Sequence, residues 1–194
     1  MKEEISNYIK EYISSLESQI NELDFSKISQ IVNVLNNAYK NGKNIFVLGN
    51  GGSATTAIHI SCDLGKGTVK DVNNRKEKRF KVFPLTANVA TMTAIANDIG
   101  YDEIFSQQLL NLMSRGDVLI AISASGNSKN VIKAAEVAKE FGLTIIGLIG
   151  FDGGKLKDLS DQSIIVKSNS YAVVEDVHHI LGHILHYCLR RIKD

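Results

Sequence analysis

Residues 44–53, NIFVLGNGGS, join a short apolar run to a glycine-rich turn. The run is rich in β-forming residues, and the pattern that follows the turn predicts a helix from Ser53 to Leu64. Similar apolar runs recur between helical patterns, and they cover Lys81–Leu85, Val118–Ser123, Thr144–Ile149 and Ser163–Val166. This alternation predicts a doubly wound α/β fold, with a five-stranded parallel sheet and helices on both faces.

Two amphipathic helices are predicted ahead of this core, within residues 1–41, because apolar residues recur there at steps of three and four. We expect them to pack on each other, on the core or on a partner subunit. Residues 42–194 would form the α/β core, and residues 1–194 a single domain. Later helical patterns cover Ile104–Met113, Lys129–Phe141 and Val174–Ile192. Pro84 lies inside a strand candidate, which favours an edge or terminal position there.

The composition is that of an ordinary globular protein and excludes several broad classes. The net charge of +1 predicts no general attraction to nucleic acid or to anionic membranes. The apolar runs are too short to span a bilayer, and the polar N-terminus does not resemble a signal peptide. Cys62 and Cys188 are too few for a disulfide framework, which indicates a cytoplasmic protein. The polar stretch 67–80 is predicted to be a solvated loop, with phosphate attraction as the alternative.

Two strand-to-helix turns are candidate ligand sites, because ligands bind at the carboxyl ends of parallel strands. The first, 49–53, is either a binding loop or a plain tight turn, and it has neither a dinucleotide fingerprint nor a P-loop lysine. The second, SASGNS at 123–128, offers three hydroxyls and several backbone N–H groups to a small anion. This second turn predicts a neutral phosphate cradle, and a simple helix cap is the alternative.

Histidines are concentrated in the last predicted helix, which holds four of the five. Glu175, His179 and His183 follow one another at steps of four and share one stripe. On the helix after the glycine turn, His59 and Asp63 form a second pair at the same spacing. One histidine–carboxylate pair from each helix would make a four-ligand site suited to Zn²⁺, although any single histidine could be purely structural.

Taken together, four stretches closely resemble the sugar isomerase (SIS) domain, and in particular its phosphoheptose isomerase branch. The stretches are 49–64, 96–109, 116–134 and 171–185. The similarity runs from about Phe25 to the end of the chain, and the two leading helices match this branch as well. It implies a flavodoxin-like doubly wound sheet and a homotetramer with active sites between subunits. It also implies interconversion of sedoheptulose 7-phosphate and D-glycero-D-manno-heptose 7-phosphate through an enediol.

The resemblance assigns roles to particular residues. The sugar would be lined by Asn50, Gly51 and Gly52, and contacted by Asn97 and Asp98 from the loop after the second strand. The phosphate would be held by the backbone and hydroxyl groups of Ser53, Ser123, Ala124, Ser125 and Ser128. The catalytic base would be Asp63 and the acid His183. One Zn²⁺ per site would be bound by His59, Asp63, Glu175 and His183, and Glu175 would also face the substrate.

Two of these residues depart from the family pattern. Asp63 stands where the family has glutamate, so its carboxylate is one methylene shorter, and catalysis is sensitive to misplacements of about 1 Å. Glu175 stands where the family has glutamine, which adds a negative charge at a metal position. The two changes either compensate each other geometrically or mark a different substrate.

The main alternative is a non-catalytic SIS module that binds a sugar phosphate or a protein partner, such as a replication initiator. Such a module could keep the serine cradle and lose the base and the metal ligands. Because His59, Asp63, Glu175 and His183 all keep chemistry suited to metals or protons, the sequence favours an enzyme. A nucleotide-dependent enzyme is disfavoured by the missing glycine pattern and the missing P-loop lysine.

Overall fold

Five short apolar segments form one parallel sheet in the computed structural model, which describes residues 2–193. The strands are β1 (Asn44–Leu48), β2 (Lys81–Pro84), β3 (Val118–Ser123), β4 (Thr144–Gly150) and β5 (Gln162–Val166). Their order across the sheet is β2-β1-β3-β4-β5, and every neighbouring pair is parallel. The chain reverses its direction of travel across the sheet after β2. The carboxyl ends of β1 and β3, which lie side by side at this switch point, are therefore where a ligand is expected.

Eight helices surround the sheet. They are α1 (Lys2–Asn21), α2 (Phe25–Lys40), α3 (Gly52–Cys62), α4 (Val89–Asp98), α5 (Ser106–Leu112), α6 (Lys129–Glu140), α7 (Gly154–Leu159) and α8 (Tyr171–Ile192). A π-helical turn at Asp63–Gly67 continues α3, and a short 3₁₀ turn at Tyr101–Glu103 precedes α5. Within the described residues, no helix is both long enough and apolar enough to cross a membrane.

Alternate residues of the central strands enter two separate cores, one on each face of the sheet. In β1, Ile45 and Val47 join the core formed with α2, α3 and α8, whereas Phe46 and Leu48 join the core formed with α5, α6 and α7. This period of two is the pattern of a strand buried on both faces. The prediction of a doubly wound parallel α/β sheet with helices on both faces is confirmed.

The two leading helices differ in how they attach to this core. Helix α2 begins at Phe25 with the Asp24 carboxylate accepting hydrogen bonds from backbone N–H groups, and it buries an apolar stripe against α8 and β5. Helix α1 runs along α8, where Tyr12 donates a 2.5 Å hydrogen bond to Asp176. In the part of the chain that is described, α1 has no fully buried residue, and its apolar side chains at Ile5 and Ile9 are about half exposed.

The predicted boundaries differ from the observed ones in a few places. Strand β2 is an edge strand that ends at Pro84, as the proline indicated. The helix predicted to end at Leu64 ends at Cys62, where the backbone widens into the π-helical turn. Helices α4 and α7 were not predicted. Asn97 and Asp98, which were expected in a loop after the second strand, instead form the last turn of α4.

Candidate active site

Helices α3 and α8 run side by side in the same direction, and this pairing builds the site. At the start of both helices, Gly52 lies against the Glu175 carboxylate, so closely that a Cβ on the glycine would overlap it. About two turns further along, His59 lies against His183. The pairing brings together residues that the sequence separates by more than 120 positions.

The close approach of the two helices depends on Gly182. A Cβ at this position would lie 2.7 Å from the Ile60 side chain, which is well inside van der Waals contact. Because Gly182 precedes His183, and Ile60 follows His59, the gap that the glycine leaves sets the distance between the two histidines.

One histidine–aspartate cluster, consisting of His59, Asp63, His179 and His183, lies in the middle of this helix pair. The Nε2 atoms of His59 and His183 are 2.9 Å apart. The Asp63 Oδ2 atom is 3.3 Å from His59 Nε2 and 3.8 Å from His183 Nε2. The His179 ring lies 4.4 Å from the His59 ring and 4.9 Å from the His183 ring, centroid to centroid. Asp63 is thus in contact with His59 and His183, and with His186 Nδ1 at 3.9 Å, while the His179 ring lies beside the two cluster histidines.

The cluster is partly exposed, and its His179 ring favours the neutral form. The side chains of His59 and His183 are 42% and 53% exposed, so a substrate can reach them. The pKa of His179 is lowered from its ordinary value, chiefly by burial and further by repulsion from His59 and His183. Neutral imidazole keeps a free lone pair on one ring nitrogen, so the His179 ring can act as an uncharged nitrogen donor.

The donor set of the cluster fits a divalent metal ion. One ligand atom each from His59, His179 and His183 falls within a group whose members all lie within 4.8 Å of one another. Imidazole nitrogen and carboxylate oxygen are the donors that Zn²⁺ accepts in mixed nitrogen–oxygen sites. The residues present here could therefore hold such an ion.

A second feature, the serine cradle, lies at the carboxyl end of β3 and the start of α6. It is a cavity of about 140 Å³, and its lining consists of Asn50, Ser53, Ile122, Ser123, Ala124, Ser125, Ser128, Tyr171 and Glu175. Pockets for whole organic ligands usually measure about 300–1,000 Å³. The cradle of one chain is therefore suited to the small anionic end of a ligand.

The hydroxyls of the cradle are not used up by helix capping. Ser128 is the N-cap residue of α6, and within the described chain its side chain makes no capping hydrogen bond. Its hydroxyl instead accepts a 3.3 Å hydrogen bond from Ser123. Ser125 Oγ accepts from the backbone N–H of Asn127 at 3.2 Å. Free N–H groups at the start of α6 and adjacent hydroxyls are the groups that bind a phosphate.

A buried amide pair holds the glycine turn in place. The side chains of Asn50 and Asn130 exchange two hydrogen bonds of 2.8 and 2.9 Å, and Tyr101 donates a third, of 3.0 Å, to Asn50 Oδ1. Asn130 is 2% exposed and lies in the first turn of α6. The turn after β1 and the helix after β3 therefore move as one unit. The sequence analysis missed Asn130 and Tyr101, and the only local indication was a polar residue next to the cradle motif.

The structure separates the sequence-predicted residues into two groups. Asn50, Ser53, the serines of the 123–128 turn and Glu175 line the cradle, with Gly51 and Gly52 in the adjacent turn. His59, Asp63 and His183 lie in the cluster, and His179 joins them there instead of Glu175. Asn97 and Asp98 lie exposed at the end of α4, where Asn97 donates a 2.8 Å hydrogen bond to Asp98.

Comparison with known proteins identifies one family throughout. The family model described as "SIS domain" matches residues 7–150. A phosphoheptose isomerase of Helicobacter pylori (strain P12) is 42% identical over 164 residues, which cover 84% of this chain and 83% of that protein. A phosphoheptose isomerase of a Nitratiruptor species is 40% identical over 186 residues, covering 95% and 96% of the two chains.

Solved structures agree with these sequence relatives. The phosphoheptose isomerase of Neisseria gonorrhoeae superposes with a TM-score of 0.87 at 30% identity, covering 98% of this chain and 99% of the other. That of Francisella tularensis superposes with a TM-score of 0.86 at 28% identity, covering 97% of both chains. The fold, the paired site helices and the relatives lead to one conclusion: the chain belongs to the phosphoheptose isomerase family of SIS-domain proteins.

Proposed function

We propose that this protein is a sugar-phosphate isomerase that interconverts sedoheptulose 7-phosphate and D-glycero-D-manno-heptose 7-phosphate through an enediol. The observation that carries the proposal is the placement of Asp63 and His183, two groups able to move protons, in one cluster beside a phosphate-sized cradle. The family relatives that share the fold are named phosphoheptose isomerases, which agrees with this activity.

The distance between the cradle and the cluster suits a seven-carbon sugar phosphate. Gly52, at the cradle end of α3, is seven residues from His59, which corresponds to about 10 Å along the helix axis. A phosphate on the last carbon can then lie in the cradle while the first two carbons, where the reaction occurs, lie at the cluster. Binding energy from the remote phosphate orients the reacting end.

Each cradle residue has a proposed contact. The phosphate would be bound by Ser53, Ser123, Ser125 and Ser128 and by the backbone at Ala124. Asn50, Gly51 and Gly52 would face the sugar, with Asn97 and Asp98 as further sugar contacts. Glu175 carries a negative charge, which repels phosphate, so we assign its carboxylate to the sugar hydroxyls between the cradle and the cluster.

The proton transfers follow from the cluster. Asp63 removes the proton from the carbon beside the carbonyl, and His183 handles protons at the substrate oxygens or returns one to the neighbouring carbon. The 3.8 Å between Asp63 Oδ2 and His183 Nε2 supports a mechanism in which both groups act on the same pair of carbons. A bound Zn²⁺ would polarise the carbonyl and stabilise negative charge on the enediolate.

The proposed assembly is a homotetramer with active sites between subunits. Two features support it. Helix α1 presents a row of apolar side chains outward, including Ile5, Tyr8 and Ile9, each more than half exposed. The cradle of one chain is also smaller than a whole sugar-phosphate site. We place the protein in the cytoplasm, because its two cysteines are unpaired.

The non-catalytic SIS module is not favoured. A module that only binds a ligand has no need of a carboxylate in contact with three histidines, yet the Asp63 carboxylate lies within 4 Å of ring nitrogens of His59, His183 and His186.

Proton NMR of sedoheptulose 7-phosphate in D₂O, with purified protein and with or without added Zn²⁺, tests the proposal. We expect aldose signals to appear, with deuterium at the carbon beside the carbonyl, because an enediol exchanges that proton with solvent. Neither product nor exchange, in protein shown by circular dichroism to be folded, would rule out this activity.

A further inference from the structure

We propose that His179, rather than Glu175, completes the metal site of this protein, so that the ion is bound by His59, Asp63, His179 and His183. The inference rests on the metal site of the proposed function and changes its ligand set. It assigns a role to a histidine for which the family resemblance provides none.

The geometry of the three imidazoles is the first argument. The ligand nitrogens of His59, His179 and His183 form a group in which every pair lies within 4.8 Å. His179 and His183 are one turn apart on α8, so their rings project from the same stripe. The His179 ring is nearly perpendicular to the His183 ring, at 84°, and tilted by 49° to the His59 ring. Three imidazole nitrogens from two helices are thus close enough together to serve as donors to one ion.

The position of Glu175 is the second argument. Its carboxylate oxygens lie against Gly52, at the start of α3, and the residue lines the serine cradle. His183 is eight residues further along α8, about 12 Å along the axis. The Glu175 carboxylate therefore lies at the N-terminus of α3, the positive end of that helix dipole, which favours a negative charge.

The charge of the two alternative sites is the third argument. Two histidines with Asp63 and Glu175 would cancel the charge of Zn²⁺, whereas three neutral histidines with Asp63 leave one positive charge. A net positive site is the better electrophile for a sugar carbonyl. Replacing the family glutamine by Glu175 then costs nothing at the metal, because the carboxylate lies in the cradle.

Metal binding by metal-free protein distinguishes the two ligand sets without any activity measurement. Zn²⁺ affinity is measured by competition with a chromophoric chelator, and the ligand field by the visible spectrum of the Co²⁺ form. We expect His179→Gln to weaken Zn²⁺ binding at least about 10-fold and to change the Co²⁺ spectrum. The comparison variant Glu175→Ala, which removes every possible ligand atom from that side chain, should keep both within about 3-fold of the unaltered protein.

The opposite result, with metal lost in Glu175→Ala and retained in His179→Gln, would overturn the assignment. If His179→Gln does not fold, X-ray absorption at the zinc edge of the unaltered protein provides the same test. Three imidazoles per zinc support the proposal, and two contradict it. Isomerase activity with a two-imidazole site would reject this inference and leave the proposed function standing, whereas inactivity with a three-imidazole site would do the reverse.

Discussion

The Nε2 atoms of His59 and His183 lie 2.9 Å apart although 124 residues separate them in the chain. Such a distance between two imidazole nitrogens requires one ring to donate and the other to accept, or both to bind the same ion, because two protonated rings would repel each other. Asp63 lies 3.3 Å from the first of them and 3.8 Å from the second. The histidine–aspartate cluster is thus formed by the contact between α3, with the turn that follows it, and α8.

Replacing the proposed base, Asp63, tests the proton-transfer step directly. In Asp63→Asn the side chain keeps its shape but cannot accept a proton, and we expect kcat/KM to fall by about 10²–10⁴. The melting temperature should change little, because Asp63 is partly exposed and its partners remain. Turnover is measured by NMR, with Asp158→Asn, on the exposed side of α7, as the control. Turnover near normal in Asp63→Asn would remove Asp63 from the mechanism.

Asn130 tests whether the amide pair positions the glycine turn. Asn130→Ala leaves the Asn50 side chain without its reciprocal partner in a buried place, which costs about 1–3 kcal/mol. We expect lower stability in urea denaturation together with a raised KM, because Asn50 faces the sugar in the proposed complex. Asn33→Ala, on the exposed face of α2, should have neither effect. A stable Asn130→Ala variant with normal KM would show that the amide pair is dispensable.

Gly182 tests the close approach of α3 and α8. In Gly182→Ala the new methyl group would meet Ile60 at 2.7 Å, and overpacking of this kind costs about 1–3 kcal/mol. Alanine has a greater helix propensity than glycine, which stabilises the folded state by up to about 1 kcal/mol. The net effect of the substitution should therefore be destabilising. Gly65→Ala is the matched control, since an added Cβ there meets no described atom within 4 Å. If both variants unfold at the same urea concentration, the helices do not depend on this glycine for their spacing.

The Glu77 carboxylate is expected to make the free energy of unfolding depend on pH in the acidic range. The hydrogen bond from Lys193 at 2.7 Å, together with the backbone N–H groups of Asp71 and Lys70, lowers the pKa of Glu77 from 4.5 to about 2. Tyr39 also interacts electrostatically with this carboxylate. Because the folded-state pKa is lowered, the stabilisation is complete above about pH 4.5 and is lost as the pH falls toward 2.

The check is urea denaturation of the unaltered protein and of Glu77→Gln between pH 7 and pH 3. The variant should be less stable at pH 7, and the difference should shrink steadily below about pH 4.5. A difference that does not change with pH would mean that the ionised carboxylate contributes nothing through Lys193.

Much of the architecture could be read from the chain because it depends on local patterns. Each strand is a short apolar run followed by a turn. Parallel strands that are buried on both faces need crossover connections, and these are usually helices. Helix α4 was not predicted because apolar and polar residues alternate in 89–98 without a clear apolar face. In the described chain, none of its residues is fully buried. Helix α7 has six residues, too few to show a period.

The serine cradle and the histidine–aspartate cluster also differ in how far the sequence predicts them. The serine cradle was predictable because its hydroxyls and its helix N-terminus occupy one continuous stretch, 123–128, whose geometry is local. The sequence also identified the two helices that carry the histidines, since His59 and Asp63 repeat at four residues, as do His179 and His183. It could not show which turn of α3 faces which turn of α8. The alignment of the two helices depends on the gap at Gly182 and on the packing of Ile60 against it. This alignment places Glu175 with the cradle and His179 with the cluster. Only the tertiary structure decides it, because side-chain contacts between distant segments exist only in the folded chain.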